Sequence, residues 1–363
     1  SVGSAALPAN RAMDGDDEDG PVAAWAWGNG QAFGQGPCTA TPVQLPLRGR
    51  SLRGLGATWE HTLLLTRSGA LWAAGPNASR WLFEDDPEES RGPQRVDLLE
   101  LEGIRVEAAA GGREHVLAIL EDGERVLSWG QSNEFGELGH GGTALARVRP
   151  RAVALPLPRM QIRQVACGEM HSLVLTVAGN VFAFGDGSQG ALGLGSTTSM
   201  PRPALIEAGD IRGMPLRAVA AGAQHSMALS LGGSVLAWGS GKHGRLGLGV
   251  DAPEVVPSPV LVPHPRELVR FISAGGRHSA VILRRGRCFF TGDNQHGQLG
   301  GSPSELPRAD TFVPLTGQWR MVALGSMHSI LLSYDGYVYS CGQNDVGQLG
   351  CGAAGVSWPP GLH

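Results

Sequence analysis

The sequence predicts an all-β fold, a β-propeller built from units of about fifty residues. Three observations predict it. The first is a histidine stretch that recurs as TWEHTLLL (58–65), GREHVLAIL (112–120), GEMHSLVL (168–175), GAQHSMAL (222–229), GGRHSAVI (275–282) and GSMHSILL (325–332). Its histidines, His61, His115, His171, His225, His278 and His328, are spaced 54, 56, 54, 53 and 50 residues apart. The second is a short apolar run ending in glycine, 14 or 15 residues after each histidine: LWAAG, VLSWG, VFAFG, VLAWG, CFFTG and VYSCG. The third is composition. There are 55 glycines and 24 prolines in 363 residues, with glycine at about twice its usual share, which favours turns and short strands over helices.

Each element of the unit follows in order. After the histidine come four or five apolar residues, then a turn (RSG, EDG, VAG, LGG, RRG or YDG), then the second apolar run. Two such runs joined by a glycine-containing turn read as a hairpin. A proline-containing connection and a further run, such as IRQVACG (162–168) or LRAVAAG (216–222), add more strand. Most strand-ending glycines are followed by a third signature, as in FGELGHG, GALGLG, GRLGLG, GQLGG and GQLGCG. Units of this length are too long for leucine-rich repeats and lack helical periodicity, but they suit four-stranded blades.

The G-x-x-H-[ST] stretch, the aromatic-then-glycine strand end and G-Q-L-G-x-G resemble the regulator of chromosome condensation repeat family over residues 22–352. The resemblance implies a seven-bladed propeller, and seven strand-ending glycines are present: Gly28, Gly75, Gly130, Gly185, Gly239, Gly292 and Gly342. Residues 21–363 are expected to form one propeller domain. Residues 1–20, with DGDDEDG at 14–20, are expected to be an acidic, disordered segment. AWAWG (24–28) has no G-x-x-H before it, and the sequence ends too soon after Gly342 for another, so the closing blade is expected to be incomplete or irregular.

Composition narrows the function. The net charge of −4 gives no overall basic footprint for a nucleic-acid backbone, so a nucleic-acid partner is not expected. RVRPR (147–151) and RRGR (284–287) read as solvated faces. Cys38, Cys167, Cys288, Cys341 and Cys351 are scattered with no C-x-x-C pair. That argues against a zinc site or a disulfide-linked partner and for a reducing compartment, cytoplasmic or nuclear. No apolar stretch approaches the ~18 residues of a membrane span, and no signal pattern opens the sequence. There is no P-loop, no H-E-x-x-H and no EF-hand loop, so no cofactor, metal or catalytic residue is expected.

AGGRHSAVI (274–282) could pass for a small active site. A catalytic residue, however, is needed once, whereas this histidine occurs six times, so it serves the blade. The expected role is hydrogen bonding to backbone groups at a tight strand start, where unpaired buried groups would cost about 1–3 kcal/mol each. The glycine three residues earlier is expected to permit close approach.

Function is then sought where the repeats differ. The two positions before each histidine hold Trp59 and Glu60, Arg113 and Glu114, Glu169 and Met170, Ala223 and Gln224, Gly276 and Arg277, and Ser326 and Met327. The resemblance places these on one face around the axis. Its candidates for partner binding are Trp59, Glu60, Arg113, Glu114, Glu169, Met170, Gln224, Arg277 and Met327. The G-W-R-H-T form that some members repeat is absent, so light sensing through clustered tryptophans is not expected. The Gly75 unit has PNASRWLFEDDPEESRG (76–92) in place of the third signature. There Trp81 and Phe83, flanked by Glu84, Asp85 and Asp86, form either an aromatic recognition knob or the filling of a divergent blade. The function expected is a non-enzymatic platform that binds another protein. The alternative, from the resemblance, is guanine-nucleotide exchange on a Ran-like small GTPase, which needs no covalent chemistry. No inserted β-wedge can be matched residue by residue.

Overall fold

The stretch that begins at each repeat histidine holds apolar and small residues throughout, so its strand can be buried on both faces. Every residue of His115–Leu120, His171–Thr176, His225–Ser230 and His278–Leu283 is buried. In the VAG turn that closes one hairpin, Gly179 has φ of +87°, a conformation a side chain disfavours. The computed structural model describes residues 25–28, 39–44, 51–75, 93–96, 105–143, 148–156, 159–264 and 267–352.

The hairpins extend into antiparallel sheets whose strands pair in chain order. Blade 1 is Leu52–Ala57, Thr62–Thr66, Leu71–Ala74 and Gln94–Arg95. Blade 2 is Val106–Gly111, His115–Leu120, Val126–Gly130 and Val148–Ala152. Blade 3 is Ile162–Cys167, His171–Thr176, Val181–Gly185 and Met200–Leu205. Blade 4 is Leu216–Ala221, His225–Ser230, Val235–Ser240 and Val255–Leu261. Blade 5 is Val269–Ala274, His278–Leu283, Cys288–Asp293 and Arg308–Leu315. Blade 6 shows three strands among the described residues, Trp319–Leu324, His328–Ser333 and Val338–Gly342.

From blade 1 to blade 6, the first strand of each blade contacts the first strand of the next, which puts these strands innermost. The core lies between neighbouring sheets. Leu173, Leu175 and Val181 of blade 3, for example, pack with Val219, Ala228 and Trp238 of blade 4. The aromatic residue before the strand-ending glycine fills this core: Trp129, Phe184 and Trp238 are fully buried. Each inner strand begins with a bulge. In blade 3 the register passes from Ile162↔Thr176 to Gln164↔Leu175, and the other five blades shift at the same place.

The expectation of seven blades is corrected in one respect. Among the described residues six sheets of three or four strands form, and Gly28 lies in a separate two-stranded ribbon of Trp25–Gly28 and Thr39–Gln44. The register of the ribbon explains why. Ala26↔Val43 and Gly28↔Thr39, with a shift between them, repeat the Ala183↔Ala204 and Gly185↔Met200 pairing of third and fourth strands in blade 3. First and second strands come from a G-x-x-H unit, and no such unit precedes Gly28. The acidic segment 1–20 lies outside the described residues. No helix among the described residues is long and apolar enough to cross a membrane.

Candidate functional site

Four of the repeat histidines tie blades 2 to 5 each to the next blade. His115 Nε2 lies 3.0 Å from Ser172 Oγ, His171 Nε2 2.9 Å from Ser226, His225 Nε2 2.8 Å from Ser279, and His278 Nε2 2.9 Å from Ser329. Each hydroxyl donates onward to a carbonyl: Ser172 to Glu137, Ser226 to Ala191, Ser279 to Arg245 and Ser329 to Gln298, at 2.7–2.8 Å. A hydroxyl has one hydrogen. With it committed to the carbonyl, the oxygen accepts from the ring, and Nε2 carries the proton. The ring therefore bonds a side chain of the following blade, not the backbone groups of its own strand start that the sequence led us to expect. The cause is that the serine after each histidine faces the preceding blade.

Burial keeps these rings neutral. It pushes His115 and His278 down to about 3, with repulsion from His171 and His328 respectively adding to the effect. His171 and His328 fall to about 4, also through burial, and His225 lies well below the ordinary value. The ring fits because the residue three before it is glycine: a Cβ on Gly168 would sit 2.1 Å from His171 Cε1. Blade 1 departs from this rule at both ends. Thr58 stands in the glycine position and Val116 in the serine position. There His61 Nδ1 lies 3.1 Å from Thr58 Oγ1, which also accepts the His61 backbone N–H at 3.0 Å.

The two variable positions sit on a loop held from both sides. In blades 2 to 6 the residue after the strand-ending glycine donates to the carbonyl just before the histidine, as Asp186 N–H does to Met170 O at 2.8 Å. Gly185, at φ +103°, allows this approach, since a Cβ there would lie 2.5 Å from that oxygen. Around the ring, backbone N–H groups then reach the next loop: Trp59 to Arg113 O at 3.3 Å, Arg113 to Glu169 O at 3.1 Å, Glu169 to Ala223 O at 3.1 Å, Ala223 to Gly275 O at 3.2 Å and Gly276 to Gly325 O at 3.0 Å.

This ring surrounds a cavity of about 290 Å³. Trp59, Arg113, Glu169, Gln224, Arg277 and Met327 line it, each from a different blade. Glu60, Glu114 and Met170 sit on the same loops but outside the lining. Arg113 is the hub of one sector. Its guanidinium stacks 4.4 Å above the Trp59 ring and lies 3.1 Å from Glu169 and 3.8 Å from Glu114. The opposite sector is basic. Arg277 reaches the buried Asp293 at 3.9 Å. Arg245, itself buried, donates to Gly276 O at 3.1 Å and Lys242 O at 2.9 Å. Burial first, then repulsion from Arg277, holds Arg245 down at about 10.

Sequence comparison of the two loop positions alone misses Arg245. It occupies the residue before leucine in the third signature, where sister units carry Glu137, Ala191, Gln298 and Gln348. Variation at that position is the signal that could have found it. Trp81, Phe83, Glu84, Asp85 and Asp86 lie outside the described residues. Cys167, Cys288 and Cys341 are buried, and Cys351 is exposed. No cluster of three or more His, Cys, Asp or Glu placed to hold a metal ion occurs among the described residues.

A sequence model of the RCC1-like domain matches residues 23–361. The chain belongs to the RCC1-like domain family. Among curated members it is 38% identical over 260 residues to human "Probable E3 ubiquitin-protein ligase HERC6", covering 70% of this chain and 24% of that protein. It is 31% identical over 282 residues to "Ultraviolet-B receptor UVR8" of Arabidopsis thaliana, covering 77% of this chain and 62% of that protein. The chain thus spans less than two thirds of either relative. Among solved structures it superposes on human WBSCR16 with a TM-score of 0.82 at 24% identity, covering 94% of both chains. It superposes on Prp20p of Saccharomyces cerevisiae with a TM-score of 0.78 at 23% identity, covering 92% of this chain and 83% of that one. These likenesses show the fold, a β-propeller.

Proposed function

We propose that the chain is a non-enzymatic interaction platform that binds another protein, inside the cell, through the face formed by the loops before the repeat histidines. One observation carries this reading: six side chains of five kinds, each from a different blade, meet around one cavity on loops fixed by backbone hydrogen bonds. A rigid frame presenting one variable ring keeps the entropy cost of binding low. Exposed Trp59 stacked under Arg113 is the composition of a binding hot spot. His115, His171, His225 and His278 are each committed to one serine and act as structure, not as bases. Trp81, Phe83 and the carboxylates Glu84, Asp85 and Asp86 belong to the same proposal on composition alone. We also propose seven blades, with the Gly28 ribbon as the outer half of the seventh, on the strength of its register.

A second reading, guanine-nucleotide exchange on a Ran-like small GTPase, is favoured by the carboxylates Glu60, Glu114 and Glu169 on adjacent loops. Such a run of negative charge could compete with a nucleotide for its magnesium ion. The solved Prp20p structure is described by its binding to Gsp1p and histones. The test is affinity capture from cell extract with parent and Trp59→Ala protein, run beside fluorescent-GDP release from a panel of small GTPases. The platform reading expects a partner captured by the parent, at least tenfold depleted on Trp59→Ala, and no acceleration of release. A partner retained equally by both proteins would sink the face assignment. Accelerated release from one GTPase would replace the platform with an exchange factor.

A further inference from the structure

The inner strands carry a feature that the repeat motifs conceal. Their second residue is arginine in five of the six blades, Arg53, Arg163, Arg217, Arg270 and Arg320, and Glu107 in blade 2. Each sits in the bulge that opens the strand, between the register shifts described above. A bulge takes a residue out of the ladder and re-aims its side chain. At ~3.3 Å per residue these positions are about 17 Å from the histidine loops, at the other end of the strands.

Arg53, Arg163, Arg217 and Arg270 line a cavity of about 1,010 Å³ between the inner strands. The three carboxylates on its wall are paired: Glu107 with Arg53 at 3.5 Å, Glu121 with Arg105 at 3.7 Å and Asp122 with Arg125 at 2.5 Å. Among the described residues, no carboxylate lies within ion-pair range of Arg163, Arg217, Arg270 or Arg320, which follow one another on blades 3 to 6. Two of them are held in place. Arg217 Nη2 donates to Val269 O at 2.7 Å and Arg270 Nη2 to Trp319 O at 3.0 Å, which also clasps one blade to the next. The Nε–H groups of both are nevertheless buried without an acceptor. Clasping does not account for Arg163 and Arg320, which are exposed and make no side-chain hydrogen bond or ion pair among the described residues.

We propose that this arc binds a small soluble polyanion carrying several clustered phosphates. Guanidinium groups pair with phosphate oxygens in two-pronged geometry. Arg163, Arg217 and Arg270 on successive blades line the cavity, and Arg320 continues the row on blade 6 just outside its lining, so the charge is distributed around a compact ligand. The volume is at the upper end of ordinary small-molecule sites, about 300–1,000 Å³. The proposal does not depend on the function of the opposite face.

The test is titration calorimetry with inositol hexakisphosphate on the full chain at physiological salt. Arg163→Gln/Arg320→Gln removes half the charge of the arc and no clasp, and a melt matching the parent establishes that it folds. Arg284→Gln/Arg285→Gln alters a basic turn elsewhere and serves as the control. We expect binding by the parent, at least tenfold weaker binding by the Arg163/Arg320 variant and unchanged binding by the control. No binding by the parent, or equal affinity in the Arg163/Arg320 variant, overturns the site. A parallel arm uses vesicles containing phosphatidylinositol 4,5-bisphosphate. Capture there without affinity for the soluble probe overturns a soluble ligand in favour of a lipid headgroup.

Discussion

Acidification should unfold this protein, and the repeat histidines set how steeply. At pH 5.5 an unfolded-chain histidine, with pKa near 6.5, is about 90% protonated. His115, His171, His278 and His328 in the fold stay neutral at that pH, held at about 3 to 4, and His225 stays neutral with them. Folded values below unfolded ones mean that the unfolded state binds more protons. The stability these rings contribute is therefore complete above about pH 6.5 and is lost as the pH falls from there towards 4. Together the rings cost several kcal/mol at pH 5.5, on the order of 1 kcal/mol or somewhat more for each. That is comparable with the whole stability of an ordinary domain, roughly 5–15 kcal/mol. The assay is urea unfolding followed by tryptophan fluorescence from pH 8 to 5. The slope of unfolding free energy near pH 5.5 should correspond to uptake of four or more protons, and His278→Gln should reduce that uptake by about one. Uptake of fewer than two protons would refute the argument, because it would mean that the rings are charged, or free to charge, in the fold.

The other predictions concern the clasps. Ser329→Ala leaves the His278 Nε2–H and the Gln298 carbonyl without their shared partner and should cost about 1–3 kcal/mol, read as a lower melting temperature. In a cycle with His278→Ala the two losses should be strongly non-additive, and strict additivity would show that the pair does not interact. Thr58→Gly and Val116→Ser together restore the sister pattern at the first seam. Each alone should destabilise, while the pair should recover at least half of the summed loss in chemical denaturation. A double variant no better than that sum would show that the two departures are unrelated.

The units were legible because their determinants are local. An apolar run, a glycine-bearing turn and a second run are close in sequence, and their repetition at fifty-odd residues settles that blades follow one another. The histidine's partner was not legible in the same way. Ser172 is 57 residues from His115, and nothing local says that the ring crosses to the next sheet. The candidate face was legible as variation against a constant background, yet only six of its nine residues line the cavity: in blades 1 to 3 the position next to the histidine falls outside it, whereas in blades 4 to 6 both positions line it. Arg245 escaped because it reaches the same cavity from the third signature. The arginine arc escaped because a bulge, invisible in period-two patterning, determines where those side chains point.

Among the five described seams between blades 1 and 6, the Thr58 and Val116 departures leave one unlike the other four. Val116 carries no hydroxyl, so no histidine–serine bond crosses from blade 1 to blade 2, and the backbone bond at that junction, 3.3 Å from Trp59 N to Arg113 O, is the longest of its series. What spans the junction instead is the guanidinium of Arg113 lying on Trp59. The same two side chains stand at the rim of the proposed binding face. A partner that grips them holds two blades together at the place where the wheel is least firmly riveted. Each fluctuation such binding suppresses costs it conformational entropy, while occupancy stabilises the folded wheel by mass action. Occupancy of the face and closure of the wheel then become one equilibrium, with recognition felt as stiffness on the far side of the molecule.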